Sequence, residues 1–129
     1  EEAGQWQRAA EANGLSNIML VAPSSTNERL QLTATASTGF VYATSHMGVT
    51  GAQASVDSAA GKLVARTREV TDTPVCVGLG VSNGEQAAEI AEFADGVIVG
   101  SALIKAAMKS TDDLVTLARE LAAGVRGES

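Results

Sequence analysis

Asp95-Gly96-Val97-Ile98-Val99-Gly100-Ser101-Ala102 compresses a β-branched apolar run, a glycine and a helix start into eight residues. Val97-Ile98-Val99 reads as a short buried strand, and Gly100-Ser101 turns the chain straight into a helix predicted to reach about residue 109. A junction of this kind leaves bare backbone N–H groups at a helix N-terminus, where anions are favoured, and glycine lets a ligand come close to them. Upstream the pattern occurs twice more. Val75-Cys76-Val77 runs into Gly78-Leu79-Gly80-Val81-Ser82, and Phe40-Val41-Tyr42-Ala43-Thr44 leads to Gly48-Val49-Thr50-Gly51. In a parallel sheet all three glycine groups fall on one carboxyl edge, the edge at which α/β folds bind ligands.

The rest of the chain fits around these strands. Residues 1–13 form a helix pattern with Trp6, Ala9, Ala10 and Asn13 on one face, ended by Gly14. A strand is expected at Ile18-Met19-Leu20-Val21. Ser25-x-x-Glu28 then reads as a capping box opening a helix through about residue 37. Val56, Ala59, Ala60, Leu63, Val64 and Val70 give a third helix, with Arg66 and Arg68 outside, and Ser82-x-x-Glu85 is a second capping box. Leu114, Leu117, Ala118, Leu121, Ala122 and Val125 stripe a last helix from residue 111. The order is α-βα-βα-βα-β-α-α, an α/β pattern whose short apolar strands call for a sheet covered on both sides. It corresponds to four parallel strands of a phosphate-binding (β/α)8 barrel, its C-terminal half. A complete barrel takes about 250 residues, so the 129 residues are expected to form one partial domain, 1–129, with no signal peptide before Glu1 and a start that is cut inside a helix. Residues 45–54 make the longest βα-loop and are expected to act as a mobile lid.

Composition narrows the function classes. A net charge of −6 argues against broad attachment to nucleic acid, which needs a basic face. No apolar stretch approaches the ~20 residues of a membrane span. With one cysteine and one histidine, there is no internal disulfide and no recognisable zinc site, and a reducing cytoplasm is expected. Cys76, between valines, reads as an inert buried thiol.

Individual residues carry two readings each. Tyr42 either lines a substrate pocket or packs in the outer layer of the core. Thr50 either holds a catalytic carboxylate or substrate by its hydroxyl, or serves turn chemistry. Leu79, between glycines, has no turn role and favours a pocket wall. His46 is a formal candidate for a general base, but no nearby carboxylate orients it. Trp6 is either core packing or, if exposed, a partner surface.

The motifs resemble those of one family, the α subunit of tryptophan synthase. The stretch from Phe40 to Ala52 looks like its sixth strand and closing loop, Val77 to Ser82 like its seventh βα-turn, and Asp95 to Ala102 like its eighth strand and phosphate helix. The resemblance implies that Gly51, Gly80, Gly100 and Ser101 contact a substrate phosphate, that Tyr42 and Leu79 line an indole pocket, and that Thr50 supports a catalytic aspartate. It further implies a lyase of tryptophan biosynthesis that cleaves indole-3-glycerol phosphate to indole and glyceraldehyde 3-phosphate. The family uses no cofactor or metal in this subunit and pairs it with a β subunit that carries pyridoxal phosphate. The catalytic glutamate and aspartate belong to the first half of the barrel, which this chain lacks, so the chain alone is expected to be inactive. Other readings are another phosphate-binding barrel, such as a tryptophan- or histidine-pathway isomerase or a flavin-binding barrel, and a self-associating half-barrel that binds phosphate esters without catalysis.

Overall fold

Alternation along the strands decides which way the sheet faces. In β2 (Val41–Thr44), Val41 and Ala43 are buried while Tyr42 and Thr44 are half-buried, and in β5 (Val75–Gly78) Val75 and Val77 are buried while Cys76 is not. Successive side chains of a strand point to opposite faces, so one face of the sheet is covered and the other open. The computed structural model describes residues 2–45, 48–50, 53–55 and 58–128. Within them β1 (Leu20–Val21), β2, β5 and β6 (Gly96–Val97) form a four-stranded sheet in the order β1-β2-β5-β6, every pair parallel.

Register lines up two rows across the sheet. Val21, Ala43, Val77 and Val97 form the row on the covered face, and Leu20, Tyr42, Cys76 and Gly96 the row on the open face. Helices α2 (Asn27–Ala36), α3 (Ser58–Arg68) and α4 (Gly84–Ala91) pack on the covered face, and α6 (Thr111–Arg126) lies against α4 and α5 (Ser101–Lys109). Leu30, Leu63, Val64 and Ile90 from these helices meet Val21, Val41, Val75 and Val77 in the core. Sheet coverage on both faces, expected from the apolar strands, is not what the described chain has. Leu20 is 60% exposed, and the open face is the one that points inward in a closed barrel.

Several local expectations are corrected. Helix α1 (Glu2–Ala12) ends as expected at Gly14, whose φ of +70° is left-handed, but Trp6 is 61% exposed and not packed. The cap of α2 is Thr26, not Ser25; its hydroxyl accepts from the Arg29 N–H, while Ser25 Oγ accepts from the Ala22 N–H within the preceding turn. The cap of α4 is Asn83, not Ser82, and Gln86 reaches back to the Ser82 N–H. In both places two adjacent cap-forming residues compete, and the turn geometry selects the second. The expected long loop contains a hairpin, β3 (Gly48–Thr50) paired antiparallel with β4 (Gln53–Ser55). Six residues with few β-branched side chains carry too weak an alternation to be read as strands.

Arginines placed outside the core have anchoring work. Arg66 donates to the Pro23 and Ser25 carbonyls and to Asn27 Oδ1, tying α3 to the loop after β1. Arg68 donates to the Phe93 carbonyl and pairs with Asp95 at 3.1 Å. Asp95 also accepts from the Val75 N–H at 2.9 Å, so it clamps the start of β5 to the start of β6.

Candidate functional site

The carboxyl ends of β2, β5 and β6 converge on one cleft of ≈ 520 Å³, into which Tyr42, Leu79, Gly80, Gly100 and Ser101 all open. Five of the seven residues expected to form a site are therefore brought together. Of the other two, Thr50 lies in β3, opposite Gln53, and Gly51 lies outside the described residues, as does His46.

Each wall has a local cause. Gly78 carries no side chain because the Tyr42 ring lies over it: a Cβ there would sit 2.6 Å from the Tyr42 hydroxyl oxygen. Thr44, not Tyr42, is the register partner of Gly78, so the tyrosine leans along the strand towards the carboxyl edge and brings its hydroxyl to the cleft. Gly80 has φ +83°, a conformation that only glycine adopts without strain. That turn carries Leu79 between the core, where it is 5% exposed, and the cleft wall. The Ser82 N–H and hydroxyl both donate to Gln86 Oε1, which fixes the descent from the turn into α4.

Gly100 has a different explanation. Its φ is −126°, and no heavy atom lies within 4 Å of where its Cβ would stand. Neither a left-handed turn nor a close protein neighbour demands glycine here, and Gly100 opens to the cleft. Gly100 N-caps α5 without any side-chain hydrogen bond, and the amides of Ser101, Ala102 and Leu103 have no acceptor among the described residues. Unsatisfied first-turn amides carry about half a positive charge at a helix N-terminus and suit a phosphate or carboxylate oxygen. The arrangement can therefore bind an anion on backbone dipoles, with an apolar wall and a tyrosine hydroxyl beside it.

Sequence reasoning missed Lys105, the one charged side chain among the described residues lining the cleft. Its signal was its spacing, four residues after Ser101 and so on the same helix face. Cys76 is corrected in position but not in reactivity. It lies half-buried on the open face, above Gly96, where burial and then the nearby Asp95 carboxylate push its thiol pKa upward and keep it protonated. Among the described residues no group of three His, Cys, Asp or Glu side chains is placed to hold a metal, and no helix is long and apolar enough to cross a membrane.

Four parallel strand–helix units with a glycine-lined cleft on the carboxyl edge define half of a (β/α)8 barrel. Comparison with known proteins gives the family. The family model for the tryptophan synthase alpha chain matches residues 1–128, and the chain belongs to that family. The tryptophan synthase alpha chain of Mycobacterium ulcerans is 60% identical over 126 residues, covering 98% of this chain and 47% of its own length. That of Streptomyces coelicolor is 53% identical over 135 residues, covering 100% of this chain and 50% of its own. A crystal structure of tryptophan synthase from M. tuberculosis superposes with a TM-score of 0.87 at 54% identity, over 97% of this chain and 46% of the other. The alpha-subunit from Pyrococcus furiosus still gives 0.76 at 30% identity, over 97% of this chain and 50% of the other. The chain thus spans about half the length of the relatives it matches. The match also separates the synthase from the isomerase and flavin-barrel alternatives.

Proposed function

We propose that this chain supplies the phosphate-binding half of a lyase that cleaves indole-3-glycerol phosphate to indole and glyceraldehyde 3-phosphate in tryptophan biosynthesis. In this reading the phosphate lies on the amides of Gly80, Gly100 and Ser101, with Gly51 as a further contact. Tyr42 and Leu79 face the indole ring, and the Thr50 hydroxyl steadies the catalytic aspartate. The observation that carries the proposal is the convergence of the Gly80 turn and the uncapped Gly100-Ser101 helix start on the cleft that Tyr42 and Leu79 line.

Retro-aldol cleavage needs a general acid and a general base within hydrogen-bond reach of the reacting atoms. The resemblance assigns them to a glutamate and an aspartate in the half of the barrel that the relatives have beyond this match. The half with Gly80 and Gly100 then binds and orients, and the other half moves protons. No cofactor is needed here; the indole would pass to a β subunit holding pyridoxal phosphate, and the site of action would be the cytoplasm.

The test is to join this chain to the first half of the M. ulcerans relative and measure indole release. The joined barrel is expected to turn over substrate, while the chain alone gives none. Gly80→Asp or Gly100→Asp should abolish binding of indole-propanol phosphate, because a carboxylate then occupies the phosphate's place and repels its charge. Turnover by the chain alone, or unchanged affinity in either aspartate variant, contradicts the proposal.

A further inference from the structure

Charge is distributed differently at the start of α5 than at α2, α4 and α6, the helices whose N-cap side chain accepts a hydrogen bond. Acidic residues occupy the first turns of α2 (Glu28), α4 (Glu85) and α6 (Asp112 and Asp113), where they complement the positive end of the helix dipole. Helix α5, like α3, has none, and its first turn is followed by Lys105, which lines the cleft. A lysine so near a helix N-terminus adds positive charge to a positive end, which is unfavourable unless an anion is shared between them.

Among the described residues no anion serves that purpose. Lys105 makes no ion pair or hydrogen bond among the described residues; their one ion pair is Arg68–Asp95. Lys105 lies four residues beyond Ser101, about 6 Å along the axis. Helical side chains lean towards the N-terminus, so its long stem runs back towards the free amides, and it lines the same cleft as Gly80, Gly100 and Ser101. Backbone dipoles alone offset only part of a phosphate's two negative charges.

We infer that Lys105 supplies the full positive charge of the anion cleft and makes it selective for the dianionic form of a phosphate monoester. The inference rests on the phosphate-site reading above and adds the residue that sets its charge preference. The ionisable groups around Lys105 are Tyr42 in the cleft itself and Lys109, Asp113 and Glu120 in the adjoining groove between α5 and α6. A Lys105→Met substitution alters none of them, so a changed pH profile reports the lysine acting on phosphate.

The experiment titrates the joined barrel with inorganic phosphate and with glycerol 3-phosphate by calorimetry at pH 5.5 and pH 8, on either side of the second ionisation of both ligands, which is about 6 for the monoester and higher for inorganic phosphate. The unsubstituted protein should bind both more tightly at pH 8. Lys105→Met should lose about 5-fold in affinity at pH 8, as expected for an exposed charge-assisted contact, and far less at pH 5.5. Lys105→Arg should keep both the affinity and the pH profile. If Lys105→Met binds as tightly as the parent at pH 8 while Gly100→Asp does not bind, Lys105 is not the charge-setting group and the phosphate site stands. If Gly100→Asp also binds normally, the phosphate-site reading fails, and this inference with it.

Discussion

Helices α4 and α5 each follow a strand of the same sheet and each have a glycine at the start, Gly84 as the first residue of α4 and Gly100 as the N-cap of α5, yet one N-terminus is closed by protein and the other is open. At α4 the Asn83 side chain accepts from the Gln86 N–H, and the Glu120 carboxylate, brought by α6, accepts from the Gly84 N–H at 2.6 Å. Glycine is demanded there by packing. A Cβ on Gly84 would lie 2.8 Å from the Glu120 carbonyl oxygen, and one on Gly124 would overlap the Gly84 carbonyl oxygen. At α5 the Gly100 Cβ would meet nothing and no side chain caps the helix. A glycine after a strand therefore has two meanings, helix contact or ligand access, and only the neighbours distinguish them. The molecule's own carboxylate on Gly84 illustrates what an external anion would do at Ser101.

The largest effect should come from closing the packed glycine contact. Gly124→Val forces backbone against backbone where α6 crosses α4 and should cost about 3 kcal/mol, read as a lowered urea midpoint. The matching change at the open end, Gly100→Ala, should shift stability by less than about 0.5 kcal/mol while weakening phosphate binding. Equal destabilisation of the two variants would break the distinction between packed and open glycines.

A smaller effect is expected at the carboxylate that closes α4. Glu120→Ala leaves the Gly84 N–H without its charged acceptor and should cost about 1–2 kcal/mol, with Glu120→Gln recovering part of it through the remaining amide oxygen. Chemical denaturation of both variants checks the ordering; no loss in Glu120→Ala would mean that water serves that helix end equally well.

The smallest concerns Asp95, whose pKa is held below the ordinary 3.8 chiefly by the Val75 N–H, against an opposing push from burial and with further lowering by the Arg68 hydrogen bond and charge. A carboxyl depressed on folding contributes stability that is present above its unfolded pKa and is lost as pH falls through the lower folded value. Asp95 is about half exposed, so Asp95→Asn should cost only about 0.5–1 kcal/mol at neutral pH. The difference between variant and parent should vanish once the pH is well below 3.8. Midpoints measured from pH 7 down to pH 2 test the sign.

Much of this contrast was legible in the sequence, and the remainder was hidden for definite reasons. Short β-branched runs ending in glycine located β2, β5 and β6, and their common carboxyl edge located the cleft, because a parallel sheet leaves no other geometry. Which residue of Ser25-Thr26 or Ser82-Asn83 caps its helix was not legible, since either side chain satisfies the chemistry and turn geometry decides. The hairpin after β2 has only three residues a strand, too few for a period. Trp6 carried two readings, core packing or a partner surface, and Leu20 belonged to a strand expected in a sheet covered on both sides; both are exposed here, Leu20 on the face that a complete barrel turns inward. Lys105 escaped notice because a lysine on a helix is ordinarily a solvated residue, and only the fold shows that it lines the cleft beside an uncapped turn.

The most direct test follows backbone amides by 1H–15N correlation spectra while inorganic phosphate is added to the 15N-labelled joined barrel. The account predicts saturable shifts at Gly80, Gly100, Ser101 and Ala102, with Gly84 and Gln86 at the closed end of α4 unmoved. Equal shifts at both helix starts, or none at Gly100 and Ser101, would contradict it.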